Sequence, residues 1–223
     1  MPMTSPDNDL WQQCWKDRQI DFHQLRVNEL LVRFWPRLGL APGSRVFVPL
    51  CGKSLDMLWL RQQGYQVVGV ELSPLAVEAF FRENRLPARR RELGSLSCWE
   101  SGDLSLFCGD FFALTQAELG PVDAVYDRAA LTALPEAVRP AYLAHLGRIV
   151  PPSCDIFLLT TEDLESGESH AAHQETAEEI TSLYATVFHI ELSHVENALE
   201  TDPMDPNAAP IPVAHKVYHL RPR

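Results

Sequence analysis

Residues 46–71, VFVPLCGKSLDMLWLRQQGYQVVGVE, constrain the fold more than any other stretch of the chain. An apolar run from Val46 to Leu50 breaks at Cys51-Gly52, a helical pattern follows from Ser54 to Gln63, and Gly64 stops it. A second apolar run, Val67 to Val70, ends on the acid Glu71. Strand, tight turn, helix, strand is the repeating unit of a doubly wound α/β fold. A buried strand gains nothing from ending in a carboxylate. An acid about 20 residues past the turn stands where such folds hold an adenosine ribose, and a carboxylate has two acceptor oxygens for the two hydroxyls of the diol.

The glycines narrow the choice of adenosine cofactor. A dinucleotide pyrophosphate needs a G-x-G-x-x-G turn for close backbone approach. Here the turn holds Gly52 alone, which disfavours NAD(P). Gly52-Lys53-Ser54 resembles the end of a P-loop, but that motif requires a glycine where Phe47 stands. A cofactor with an adenosine and no phosphates fits, and S-adenosylmethionine (SAM) is the obvious one. On this window alone, a plain βαβ unit with a surface acid remains the alternative.

Composition sets the wider bounds. The chain has 223 residues, 46% of them hydrophobic and 22% charged, as in ordinary globular proteins. No apolar run approaches the roughly 20 residues of a membrane span. The N-terminus, MPMTSPDNDLWQQCW, lacks a basic region followed by an apolar core, so a cytoplasmic protein without a membrane partner is expected. The net charge of −11 repels a phosphate backbone, which argues against nucleic acid. Arg89-Arg90-Arg91 reads as a solvated loop. Cys14, Cys51, Cys98, Cys108 and Cys154 show no C-x-x-C spacing and are odd in number, so free thiols in a reducing compartment are expected. His170 and His173 have no neighbours in sequence to complete a metal site, and none is expected.

Further along the chain, helices are predicted over residues 9–16, 25–38, 73–84, 113–119, 136–150 and 175–184. Strands are predicted over 45–50, 66–71, 104–108, 122–126 and 155–161. Residues 86–98 read as irregular. The alternating runs 187–195 and 213–220 suit an antiparallel hairpin with a long loop. Ligands of open α/β sheets bind beyond the carboxyl ends of the strands. Those ends supply Leu50 to Gly52, Glu71, Gly109 to Phe111, and Asp127-Arg128.

Together, PLCGKS-x-DM-x-WL, GVELS, CGDFFAL and YDRAAL-x-ALP, preceded by Trp11-x-x-x-Trp15 and Ile20-Asp21-Phe22-His23, resemble the thiopurine S-methyltransferase family over residues 9 to 161. The resemblance implies a SAM-dependent methyltransferase: one Rossmann-like α/β domain across 1–223, with a seven-stranded, mostly parallel sheet, an antiparallel edge strand and a helical lid over 1–43. Bacterial members of the family are linked to methylation of thiopurines and of selenium or tellurium compounds. The resemblance further implies that Trp15 covers the bound SAM and that Leu50 and Gly52 line it. Glu71 holds its ribose, and Asp110 and Phe111 lie beside its adenine. Arg128 sits at the junction of cofactor and acceptor, and Phe22 faces the acceptor. A monomer acting on a small molecule is expected.

The family's acidic-aromatic pair and Gly-Pro-Pro-Phe loop after the fifth strand are missing. Glu162-Asp163-Leu164-Glu165-Ser166-Gly167-Glu168 stands there instead. That departure lies on the acceptor side. It leaves open an amine or oxygen acceptor, and a SAM-binding protein without catalysis. A NAD(P)-linked oxidoreductase is a further, disfavoured alternative.

Overall fold

The computed structural model describes residues 5–17, 23–163, 175–201, 207 and 209–223. Among the described residues nine strands form one sheet: β1 (Arg45–Val48), β2 (Gln66–Glu71), β3 (Arg89–Leu93), β4 (Leu96–Ser101), β5 (Leu104–Cys108), β6 (Ala124–Arg128), β7 (Asp155–Asp163), β8 (Phe188–Glu200) and β9 (Ile211–Pro222). Their spatial order is β3-β4-β5-β2-β1-β6-β7-β9-β8. The five central strands, β5 to β7 in that order, are parallel, and an antiparallel hairpin closes each side.

The count is therefore nine strands where seven were expected. The difference lies in the segment expected to be irregular, 86–98, which from Arg89 on forms a strand, a turn and a second strand. Arg89-Arg90-Arg91 belongs to β3, an edge strand paired with β4 through the two-residue turn Gly94-Ser95. The three arginines are exposed, and charge on an edge strand blocks further pairing. At the other side β7 runs two residues past Thr161, so Glu162 and Asp163 pair with β9 as strand residues. The hairpin expected at the end of the chain is present as β8 and β9.

Alternation along the central strands builds two apolar layers. Phe47, Val68, Val70, Val125 and Leu158 face one side, where Leu119, Tyr142, Leu146 and Ile180 pack. Val46, Val48, Val67, Tyr126 and Leu159 face the other, under Phe34, Trp35, Met57, Leu60 and Phe80. Each such fully buried side chain is worth about 1.5–3 kcal/mol of transfer free energy. Helices α1 (Ser5–Asp17), α2 (Glu29–Phe34), α3 (Asp56–Gln62) and α4 (Pro74–Glu83) come from the first part of the chain. The expected helix over 25–38 is shorter: α2 passes into a 3-10 turn at Trp35–Leu38, because Pro36 has no N–H to continue the ladder.

The chain moves outward from β1 through β2 to β5 and then returns to the other side of β1 with β6. The strand order thus reverses at β1, which opens a crevice beyond the carboxyl ends of β1, β2, β5 and β6. All five cysteines are free and buried. No helix among the described residues is long and apolar enough to cross a membrane.

Candidate active site

A cavity fills this crevice. Trp15, Leu50, Gly52, Glu71, Asp110, Phe111 and Arg128 all line it. Those are all the predicted site residues except Phe22, which lies outside the described residues. His170 and His173 also lie outside them, and the described residues hold no cluster of His, Cys, Asp or Glu suited to a metal.

The turn after β1 is shaped by backbone conformation. Leu50 has φ 44° and Gly52 φ 54°. A leucine in the left-handed region is strained, and strain of that kind collects at functional sites. A Cβ built on Gly52 would lie 3.5 Å from the Trp15 ring, so the indole of α1 rests on the turn itself.

Glu71 is buried at the end of β2. Its Oε2 accepts the Gly52 N–H at 2.8 Å and its Oε1 the Ser73 N–H at 2.7 Å. Burial pushes its carboxyl up, and the backbone N–H groups of Ser73, Gly52 and Leu72 pull against that rise. Each carboxylate oxygen has two lone pairs. The backbone N–H groups of Gly52, Ser73 and Leu72 take part of that capacity, and what is left faces the cavity as an acceptor for the hydroxyls of a diol. No glycine-rich cradle for a pyrophosphate accompanies it. The pocket therefore fits an adenosine without phosphates, as SAM is.

At the end of β5, Asp110 accepts the Phe112 N–H at 2.9 Å and caps the 3-10 turn Phe111–Ala113. That cap turns the Phe111 ring inward, where it packs 4.9 Å from the His145 ring and 5.0 Å from Tyr142. The result is a rigid flat wall. Gly109, at φ 143°, lets Leu96 pack against the strand end: a Cβ there would lie 2.4 Å from Leu96 Cδ2.

Arg128 ends β6. Its Nε donates to Asp56 Oδ2 at 2.8 Å and its Nη2 to Ser54 Oγ at 3.1 Å. Burial opposes the guanidinium charge, and the oxygens of Tyr126 and Asp56 more than offset it, so Arg128 stays firmly protonated. The next residue, Ala129, has φ 63°, a second strained position in the crevice.

A second cavity begins on the far side of Arg128 and Ala129, which line both. Its described walls carry Asn28, Glu29, Arg33, Glu196, Glu200 and His215. His215 bridges Thr161, at 3.0 Å, and Glu200, at 3.1 Å. In the acidic stretch after Thr161, Glu162 is taken by Lys216 at 2.7 Å.

Sequence reasoning missed Asp56, Ser54, Tyr126, His23 and the second cavity. Asp56 carried one readable signal. It is four residues before Leu60, on the face of α3 that is otherwise buried, and a charge on an apolar face needs a buried partner. His23 lines the first cavity; burial and then the Lys53 charge hold its imidazole below the ordinary value, so it is neutral at pH 7.

This sheet order, with an acid ending the second strand and one glycine in the first turn, defines a SAM-dependent methyltransferase. The comparisons with known proteins carry the assignment further. The chain belongs to the thiopurine S-methyltransferase family, whose model matches residues 6–223. It is 56% identical over 218 residues to a thiopurine S-methyltransferase of Stutzerimonas stutzeri, covering 98% of this chain and 92% of that one. It is 43% identical over 210 residues to one from Pseudomonas putida strain F1, covering 94% and 97%. Among solved structures, a SAM-dependent methyltransferase of Anabaena variabilis aligns over 99% of this chain and 97% of its own, at TM-score 0.61 and 17% identity. The magnesium protoporphyrin IX methyltransferase of Synechocystis, with bound SAM, aligns over 99% and 100% at TM-score 0.61 and 14% identity. These two likenesses concern the fold alone. The family membership sets aside the oxidoreductase reading.

Proposed function

We propose that this enzyme methylates a small, soft nucleophile, a thiol or selenol, by in-line displacement, with the acceptor entering through the second cavity. The observation that carries the reading is that Arg128 lines both cavities, one fitted to an adenosine and one walled by polar and charged side chains.

In this reading Glu71 holds the ribose hydroxyls, Phe111 and Asp110 flank the adenine, and Leu50 and Gly52 form the floor. When bound, the cofactor supplies a sulfonium methyl already activated for displacement. What the protein adds is alignment and charge. Holding two reactants in line can lower much of the barrier. Arg128 stabilises a bound thiolate over its neutral thiol, which lowers the acceptor's pKa without a strong base. Trp15 on α1 excludes water from the reacting centre, and its ring face favours the sulfonium by about 0.5–2 kcal/mol. Phe22, by the family resemblance, closes the acceptor side, and residues 1–43 serve as the cover.

The test is a comparison of 6-mercaptopurine, a thiophenol, a selenol and a set of small amines at one SAM concentration, read as S-adenosylhomocysteine formed. Turnover on sulfur and selenium is the expected result. Methylation confined to amines would overturn the acceptor class and leave the cofactor site standing.

A further inference from the structure

We propose that Asp56 is a positioning residue for the transfer step: it fixes the Arg128 guanidinium and ties that placement to the seating of the chain that leads into α2. The proposal rests on the reading of Arg128 as the group that faces the acceptor.

Asp56 is 1% exposed and is not among the described residues lining either cavity, so it acts through its partners. Its Oδ2 accepts from Arg128 Nε and from Tyr126 Oη, both at 2.8 Å. Its Oδ1 accepts the backbone N–H of Asn28, also at 2.8 Å. Ser54 completes the clamp: its Oγ accepts from Arg128 Nη2 and, at 3.2 Å, from the Asp56 N–H. Arg128 is thus held at two of its three nitrogens. It cannot rotate away without leaving a buried carboxylate short of its counter-charge.

Asn28 gives the arrangement its second function. Its side-chain oxygen accepts from the N–H groups of Leu30 and Leu31 and caps α2. The same residue lines the second cavity, and His23, five residues earlier, lines the first. One carboxylate therefore fixes both the wall that the acceptor passes and the cation that meets it. When the segment before α2 is displaced, Asp56 loses one of three donors and Arg128 its setting.

Titratable and charged groups line the cavities beside Arg128: His23, Lys53, Glu71, Asp110 and Tyr126 in the first, Glu29, Arg33, Glu196, Glu200 and His215 in the second. The variants below leave all of them in place.

The experiment compares wild type, Asp56→Asn and Ser54→Ala with thiophenols of graded acidity across neutral pH, alongside S-adenosylhomocysteine affinity by calorimetry. Loss of a charged hydrogen bond corresponds to about a 10- to 100-fold fall in kcat for Asp56→Asn on weakly acidic thiols. The cofactor product should bind within about twofold of wild type. The rise of kcat/KM with pH should move to higher pH, and thiophenols already ionised should lose least. Ser54→Ala, which leaves Asn28 and Asp56 joined, should shift in the same direction by less, and it carries the test if Asp56→Asn does not fold. Equal losses on all thiols with an unmoved pH profile would overturn the proposal and leave Asp56 a fold residue. The Arg128 Nε–H resonance separates this from the acceptor reading. Slow exchange with water in wild type and fast exchange in Asp56→Asn supports the clamp even if no thiol is methylated. Fast exchange in both overturns it.

Discussion

Glu71 and Asp127 are both carboxylates buried at strand ends, and their surroundings give them opposite uses. Glu71 lines the first cavity and keeps acceptor capacity there, whereas Asp127 is consumed within the fold. Its Oδ2 accepts from Tyr142 Oη at 2.7 Å and its Oδ1 from the Leu131 N–H at 3.2 Å. Glu71→Ala should weaken S-adenosylhomocysteine binding by about 1.5–3 kcal/mol, the worth of hydrogen bonds to a charged group. Calorimetry decides it, and an unchanged affinity would remove Glu71 from the site. For Asp127, burial pushes the carboxyl up to about 6, against the Tyr142 hydroxyl and backbone N–H groups that favour its charge. The folded state then holds a proton that the unfolded chain, titrating near 3.9, has lost. Stability from this group is full below the unfolded value and is lost as pH rises through about 6. Between about pH 5 and pH 7.5 the wild type should lose roughly 1.4 kcal/mol relative to Asp127→Asn, which keeps the shape without the titration. Denaturant unfolding at the two pH values measures it.

The elements differ in how far the sequence revealed them. The β1–α3–β2 unit was legible because its periodicity, its turn glycine and its terminal acid all point to one local structure. The β3–β4 hairpin was not. Its outer strand carries arginines, which by composition look like a loop, and only the pairing partner explains them: Arg91 meets Glu100 at 3.3 Å across the pair, and Arg90 lies 5.3 Å from the Trp99 ring. Tertiary context decided that segment, as it does for most edge strands. The strand count was therefore the part of the fold that sequence undershot, while the parallel sense of the central strands followed from the alternation of strand and helix. Helix α1 is intermediate. Trp11 and Trp15 share one face of α1 and both line the first cavity, so the helix has a stake in the ligand as well as the fold. Hydrogen exchange across residues 9–17 should slow on adding S-adenosylhomocysteine, because a segment that closes over a ligand is drawn from the less stable part of a structure. Equal exchange with and without ligand would make α1 a fixed packing helix.

At the scale of the molecule, charge decides which acceptors can approach. Many of the residues lining the first cavity were readable in advance because they lie in short motifs at strand ends. The second cavity was not, since its walls come from Gln24, Asn28, Arg33, Thr161, Glu196, His215 and Arg128, among others, which meet only in the fold. The chain carries −11 overall. In the second cavity Glu29, Glu196 and Glu200 stand against Arg33, while the Arg128 charge is matched by Asp56 at 2.8 Å. The distant part of the field is screened beyond about 8 Å at physiological salt, so the carboxylates in the cavity wall set the preference. Half-exposed charges are worth about 0.2–1 kcal/mol each, which makes the combined discrimination roughly three- to tenfold. Thiols of equal size and acidity bearing an ammonium, a neutral or a carboxylate tail should therefore rank in that order in kcat/KM. The spread should narrow when salt is raised to about 1 M, where the screening length falls to about 3 Å, and narrow again in the double variant Glu196→Gln, Glu200→Gln. A carboxylate-tailed thiol that ranks first at low salt would mean that Arg33 and Arg128 dominate the cavity, and that the acceptor of this enzyme is an anion held by its tail as well as by its sulfur.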